Sequence, residues 1–348
     1  MRRRKRLVKI ILPSLGIAAL ILDSNTAIKA AAEGIGLCIR TVIPSLFPFF
    51  LLSILLTNAM AGIDIPILRP LGKLCRIPKG TENLFLIGLL GGYPTGAQAI
   101  TERYQRGQLS KSCAERLLGF CNNAGPAFIF GIMGGLFTSK LMPWLLWIVH
   151  ILSAIFTGML VPGEQKPVSG KSYSERCDIH SAFKKALFAI ASVCGWIILF
   201  RVMLAFLQRW FLWLLPEIAS ITVIGIFELA NGVFALQKID KEGLRFILGS
   251  FFLSFGGLCV GMQTVSATAG IGTGWYFPGK IIQSIFSFTL ASIVSLILIE
   301  PLPYLPSIIS IGISLSVMVM LIFRQCKITV AFSHNWVYNT QKQTKELR

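Results

Sequence analysis

Apolar residues run along this chain in long blocks separated by short basic stretches. The blocks cover residues 7–22, 34–61, 84–100, 117–138, 141–161, 186–208, 211–236, 246–265, 281–299 and 302–323. A helix that crosses the hydrocarbon core of a bilayer needs about 20 largely apolar residues, and most of these blocks reach or approach that length. None alternates strictly, as the strands of a membrane barrel do. Helices are the remaining way to satisfy backbone groups in lipid. The pattern therefore predicts an all-α, polytopic integral membrane protein. About eight blocks read as full transmembrane helices, and two Gly-rich blocks read as re-entrant or broken-helix hairpins.

Composition supports that class. Of 348 residues, 54% are hydrophobic and 14% charged, where a soluble domain carries about 25% charged residues. The mean hydropathy is +0.71. The formal net charge of +18 does not signal nucleic acid. Lys and Arg lie between apolar blocks, as they do in cytoplasmic loops of membrane proteins, and not along one soluble face. The lipid bilayer is the expected partner.

The basic residues also constrain topology. Arg2 to Arg6 precede the first block, which reads as an uncleaved signal anchor with the N-terminus in the cytoplasm. Basic clusters in 62–83 (Arg69, Lys73, Arg76, Lys79), 101–116 (Arg103, Arg106, Lys111, Arg116), 162–185 and the tail 324–348 all read as cytoplasmic. Loops 62–83 and 101–116 share a side only if 84–100 enters and leaves on that side. Gly88, Gly91, Gly92, Pro94 and Gly96 make it a poor straight helix. Loop 266–280 holds Lys280 alone and casts little vote.

Residues 91–98 (GGYPTGAQ) and 256–263 (GGLCVGMQ) share the pattern G-G-x-x-x-G-x-Q. The recurrence suggests two halves of one plan. The first is 1–161, with a hairpin near 84–100; the second is 186–323, with a hairpin near 246–265. Residues 162–185 link them, and 324–348 form a basic tail. Loop charge favours a parallel repeat; a full crossing by 246–265 gives an inverted one.

Several polar groups lie at membrane depth. Glu228 sits within an apolar block, where a carboxylate is a functional-site candidate, or else part of a structural ion pair or hydrogen bond, for instance with Arg201 or Arg40. Asn122 and Asn123 precede Gly125-Pro126, and Pro126 frees a backbone carbonyl one turn earlier. Paired Gly-interrupted segments point to a midplane binding site, whereas small residues alone signify close helix packing. The candidate solute-binding set is Gly91, Gly92, Thr95, Gly96, Gln98, Asn122, Asn123, Glu228, Asn231, Gly256, Gly257 and Gln263. Pro44 and Pro48 should bend the second block.

Catalytic and metal chemistry find little to work with. The eight cysteines show no C-x-x-C pair, and His150, His180 and His334 are far apart. No nucleophile elbow, phosphate loop or zinc helix is present. The sequence predicts no enzyme activity and no cofactor.

The segments PSLFPFF at 44–50, GGYPTGA at 91–97 and FCNNAGPAFI at 120–129 resemble the YlbJ-type sporulation integral membrane proteins, a group with a nucleoside-recognition Gate domain. ELANG at 228–232 and Gly256-Gly257 with Gln263 resemble that family's second half. The resemblance implies a cell-membrane protein of spore formation, with distant kinship to concentrative nucleoside transporters and their inverted hairpin repeats. Unlike the hairpins of those carriers, 91–98 holds no carboxylate. Two functions follow as expectations. One is a transporter or channel-like carrier of a small polar solute, nucleoside-like or other. The second is a non-transporting scaffold for spore-envelope assembly, working with other sporulation membrane proteins or as a homo-oligomer.

Overall fold

The computed structural model describes residues 2–60, 63, 65–163, 178–301 and 303–321, the side chains of 2–9 and 12 excepted. The tail 324–348 and most of the linker lie outside the described residues. Among the described residues, every regular element is helical. In the first half the helices are α1 (Arg2–Leu22), α2 (Ser24–Leu37), α3 (Ile43–Ala59), α4 (Arg69–Leu74), α5 (Asn83–Gly91), α6 (Thr95–Gln105), α7 (Lys111–Cys121), α8 (Pro126–Gly131) and α9 (Met142–Leu160). There follow α10 (Ile179–Trp210), α11 (Glu217–Phe227), α12 (Leu229–Ala235), α13 (Glu242–Phe255), α14 (Gly257–Ala267) and α15 (Tyr276–Val294), and α16 (Leu305–Leu321).

Among the described residues, five stretches are long and apolar enough to cross a membrane: Ser24–Ala59, Met142–Leu160, Ile179–Trp210, Glu242–Ala267 and Tyr276–Ile299. The chain is thus a multi-pass membrane protein. Shorter apolar helices occupy Pro13–Leu22, Glu217–Phe227 and Leu305–Leu321. The blocks 117–138 and 211–236 are not single spans. Residues 122–125 leave the helix after Cys121, and Glu228 adopts extended backbone between α11 and α12. In both places a polar side chain bonds locally instead of letting the helix continue, the competition that keeps Asn and N-capping acids out of helix interiors. The polar linker is shorter than its composition suggests. Asp178 caps α10 by accepting from the Ser181 N–H at 2.9 Å, so helix begins at Ile179.

Large apolar side chains such as Ile21, Leu52, Phe188 and Leu298 are exposed, as lipid-facing positions are. Phe130 packs edge to face on Trp144 and Trp147 near the start of α9, and the two tryptophans are tilted against each other. Trp210, Phe211 and Trp213 are exposed where α10 ends. Aromatic groups at span ends favour the membrane–water interface.

One sequence of shapes recurs. A long helix (α3) is followed by a hairpin of short helices (α5 and α6), an interrupted helix (α7 and α8) and a long helix (α9). Then come α10, the hairpin α11–α12, the interrupted helix α13–α14, and α15. Within each hairpin the two arms pack on each other, whereas α13 and α14 scarcely touch. The two glycine pairs therefore occupy different shapes. Gly91-Gly92 turns a hairpin, and Gly256-Gly257 interrupts a span.

Small residues let the interior elements approach closely. A Cβ on Gly279 of α15 would lie 2.6 Å from the Gly119 Cα of α7, and one on Gly232 would lie 2.3 Å from the Gly225 Cα across the second hairpin. Gly232 is what allows the arms of that hairpin to close, and Gly225 leaves room for the Phe252 ring of α13.

Candidate functional site

The two hairpin tips, the α7–α8 interruption and the first two turns of α14 meet around one small cavity of about 50 Å³. Gly91, Gly92 and Tyr93 reach it from the first tip, Glu228 and Leu229 from the second. Ala124 and Gly125 reach it from the α7–α8 interruption, and Gln263 from α14. Phe49 and Phe50 of the doubly prolinated α3 and Val193 of α10 add apolar wall. Glu228 and Gln263 are thus polar groups in a mostly aromatic and aliphatic chamber, the usual make-up of a small-molecule site.

Each tip abuts the interruption that follows it. Gly92 has φ +72°, which a side chain rarely adopts, and a Cβ there would lie 2.9 Å from the Gly125 nitrogen. A Cβ on Gly257 would lie 3.2 Å from the Leu229 nitrogen and 3.5 Å from the Glu228 Cα. Gly256, at φ +81°, ends α13 in the left-handed conformation and lies under Tyr93, whose hydroxyl is 3.2 Å from its Cβ position.

Glu228 is buried and holds backbone, not an arginine. Its Oε1 accepts from the Ala230 N–H (3.1 Å), and its Oε2 accepts from the N–H and the side-chain amide of Asn231 (2.6 and 2.7 Å). This makes it the N-cap of α12. Arg201, offered by the sequence as an ion partner, pairs with Glu33 of α2 instead. Arg40 is exposed and does not touch Glu228 among the described contacts.

Asn122 and Asn123 are fully buried and face different partners. The Ala97 N–H donates to Asn122 Oδ1 (3.1 Å), and Asn122 Nδ2 donates to Thr264 Oγ1 (2.9 Å), which ties the first hairpin to α14. Asn123 Nδ2 donates to the Phe120 carbonyl (2.7 Å). Its Oδ1 accepts from Lys280 Nζ (3.1 Å) and Gln283 Nε2 (3.0 Å). His150 closes the ring of contacts. Its Nε2 accepts from the Ala124 N–H at 3.2 Å, which places the ring proton on Nδ1, 3.0 Å from Ser254 Oγ.

The remaining predicted residues divide. Gly96 packs on the Cys121 carbonyl and Asn122. Thr95 and Gln98 line a second, more open cavity with Glu102 and Lys185. Lys280 and Gln283 are absent from the predicted set yet lie at its centre. Lys280 is fully buried, and its ammonium also lies 5.3 Å from the centre of the Tyr93 ring. The signal in the sequence is Lys280-x-x-Gln283, an i, i+3 pair of long polar side chains on a helix whose other polar residues are only serines, a threonine and Tyr276.

Asn122→Ala is expected to leave the Ala97 N–H and the Thr264 hydroxyl one partner short. The loss should be about 1–3 kcal/mol, read as a lower melting temperature in detergent. An unchanged melting temperature would show that these bonds contribute nothing net.

No family model and no solved structure matches the chain. Over 176 residues it is 30% identical to the sporulation integral membrane protein YlbJ of Bacillus subtilis (strain 168). The match covers 49% of this chain and spans 40% of that protein's length. The chain is therefore a multi-pass membrane protein similar, over about half its length, to a sporulation integral membrane protein.

Proposed function

We propose that the chain is a carrier for a small polar solute in the membrane of a spore-forming cell. The observation that carries this reading is the convergence of two hairpin tips and two interrupted helices on one small cavity lined by a carboxylate. Irregular backbone at membrane depth is tolerated where protein or a water-filled cavity surrounds it, and carriers place their sites at such interruptions. The role in spore formation rests on the similarity to YlbJ. The recurrence of hairpin, interrupted helix and long helix supports two repeated halves, and the basic start supports a cytoplasmic N-terminus.

Melting temperature in detergent, measured against nucleosides, nucleobases, dicarboxylates and common ions, tests the reading. A solute at 100 times its Kd should stabilise the protein by about 2.7 kcal/mol. Glu228→Gln should remove most of that shift while leaving a folded sample. One observation favours a scaffold instead: Asn122, Asn123 and His150 are all engaged with this chain's own groups. A folded protein that responds to no solute would support it.

A further inference from the structure

Lys280 occupies an uncommon position for a lysine. It is buried in α15, and no carboxylate pairs with it among the described residues. Its hydrogen-bond acceptors are two carboxamide oxygens, Asn123 Oδ1 at 3.1 Å and Gln283 Oε1 at 2.8 Å. The close crossing of Gly279 on Gly119 holds this point of α15 against α7. An ammonium has three N–H donors and a neutral amine two. Two oxygen acceptors therefore satisfy both donors of the amine, and they leave the third N–H of the ammonium to the face of Tyr93. The cage accommodates both protonation states of the same side chain.

The cage is also joined to the cavity. Tyr93 lines the cavity with one surface and lies beside Lys280 with its ring. Asn123 directly precedes Ala124, another lining residue. The Tyr93 hydroxyl is buried without a hydrogen-bond partner among the described residues. Tyr93 and the 122–125 segment thus each touch both the cage and the cavity. The other titratable groups around it are Cys121 at the end of α7, His150 on α9 and Tyr276 one turn earlier on α15. From α13 come serines: Ser254 bonded to His150 and Ser250 bonded to Ser287. None of these supplies a fixed negative charge.

We propose that Lys280, caged by Asn123 and Gln283 behind Tyr93, is the proton-binding site of this carrier. On release, one N–H bond of the ammonium breaks and its proton passes to a water molecule admitted through the cavity. The neutral amine keeps both carboxamide bonds. On return the lone pair takes the proton back. This rests on the carrier reading and names a proton as its coupling ion.

The test uses the full-length protein in detergent and the panel solute that gives the largest shift. Its Kd is measured from about pH 6 to about pH 9, once with sodium chloride and once with N-methylglucamine chloride. The expected result is an affinity that changes with pH, by up to about tenfold per unit, and that ignores the change of cation. Lys280→Arg keeps the charge but does not release a proton, so its affinity should vary by less than about twofold over the same range. Lys280→Gln serves as the second variant if the arginine does not fit. Wild-type pH dependence retained in either variant, or a sodium requirement in the wild type, would overturn the proposal. If no panel solute binds, the carrier reading fails by itself. The proton site is then read from melting temperature against pH. A wild-type-minus-variant difference that changes over the range supports it, and a constant difference overturns it.

Discussion

Gly88→Ala is expected to unfold the first hairpin's seat. A Cβ at this position would lie 1.6 Å from the Cys121 carbonyl oxygen and 2.7 Å from its carbon. The obstacle is backbone, so no rotamer change relieves it, and α5 must move away from α7. Cys121 immediately precedes Asn122 and Asn123, so the displacement reaches the bonds to Ala97, Thr264 and Lys280. Overpacking a close-packed interior costs about 1–3 kcal/mol even where side chains can yield. Here the loss should exceed about 3 kcal/mol, seen as failure to purify a monodisperse protein or as a large fall in melting temperature. Gly36→Ala is the control. Nothing lies within 4 Å of a Cβ there, and replacing a helical glycine by alanine is neutral to stabilising by up to about 1 kcal/mol. Equal behaviour of the two variants would refute the close approach of α5 and α7.

Arg116→Met is expected to be comparably damaging for a different reason. The Arg116 side chain is almost wholly buried, and it donates to four carbonyls. Nε reaches Val161 at 3.1 Å, one terminal nitrogen reaches Arg76 at 3.1 Å, and the other reaches Cys75 at 2.5 Å and Gly158 at 3.0 Å. Gly158 and Val161 belong to the end of α9, whose last carbonyls lack partners within the helix. A cation there also suits the negative end of the helix. Methionine fills much of the space and satisfies none of the oxygens. At about 1–3 kcal/mol for each buried carbonyl left unpaired, the total should exceed about 3 kcal/mol. Arg116→Lys should fall between the two, because one ammonium does not span four separated oxygens. A melting temperature for Arg116→Met within a few degrees of wild type would sink this account.

The blocks of apolar residues made the membrane class and several long helices legible. The block 141–161 differs by one residue at each end from Met142–Leu160. The interruptions were harder to read. Glycine and proline at 91–94 announce a turn, but the break at Glu228 lies inside an unbroken apolar block. It exists because the carboxylate caps α12. That bonding depends on local geometry that hydropathy does not register. Among candidate residues, Gly91, Gly92, Glu228 and Gln263 do line one cavity. Thr95 and Gln98 face another, since successive positions on α6 point different ways. Lys280 is not legible in the pattern because it lies at the edge of the apolar block 281–299 and reads as loop charge. The helix in fact starts four residues earlier, at Tyr276.

The interrupted helices carry one more consequence, for leakage. A broken helix ordinarily leaves amide and carbonyl groups bare, and a row of them across a bilayer would give water and protons stepping stones. Here side chains stop the gaps: Asn122 on Ala97, His150 on Ala124, Glu228 on Ala230 and Asn231, Asn123 on Phe120. The same residues that make the centre polar thus cover the bare backbone groups along which water and protons would otherwise step.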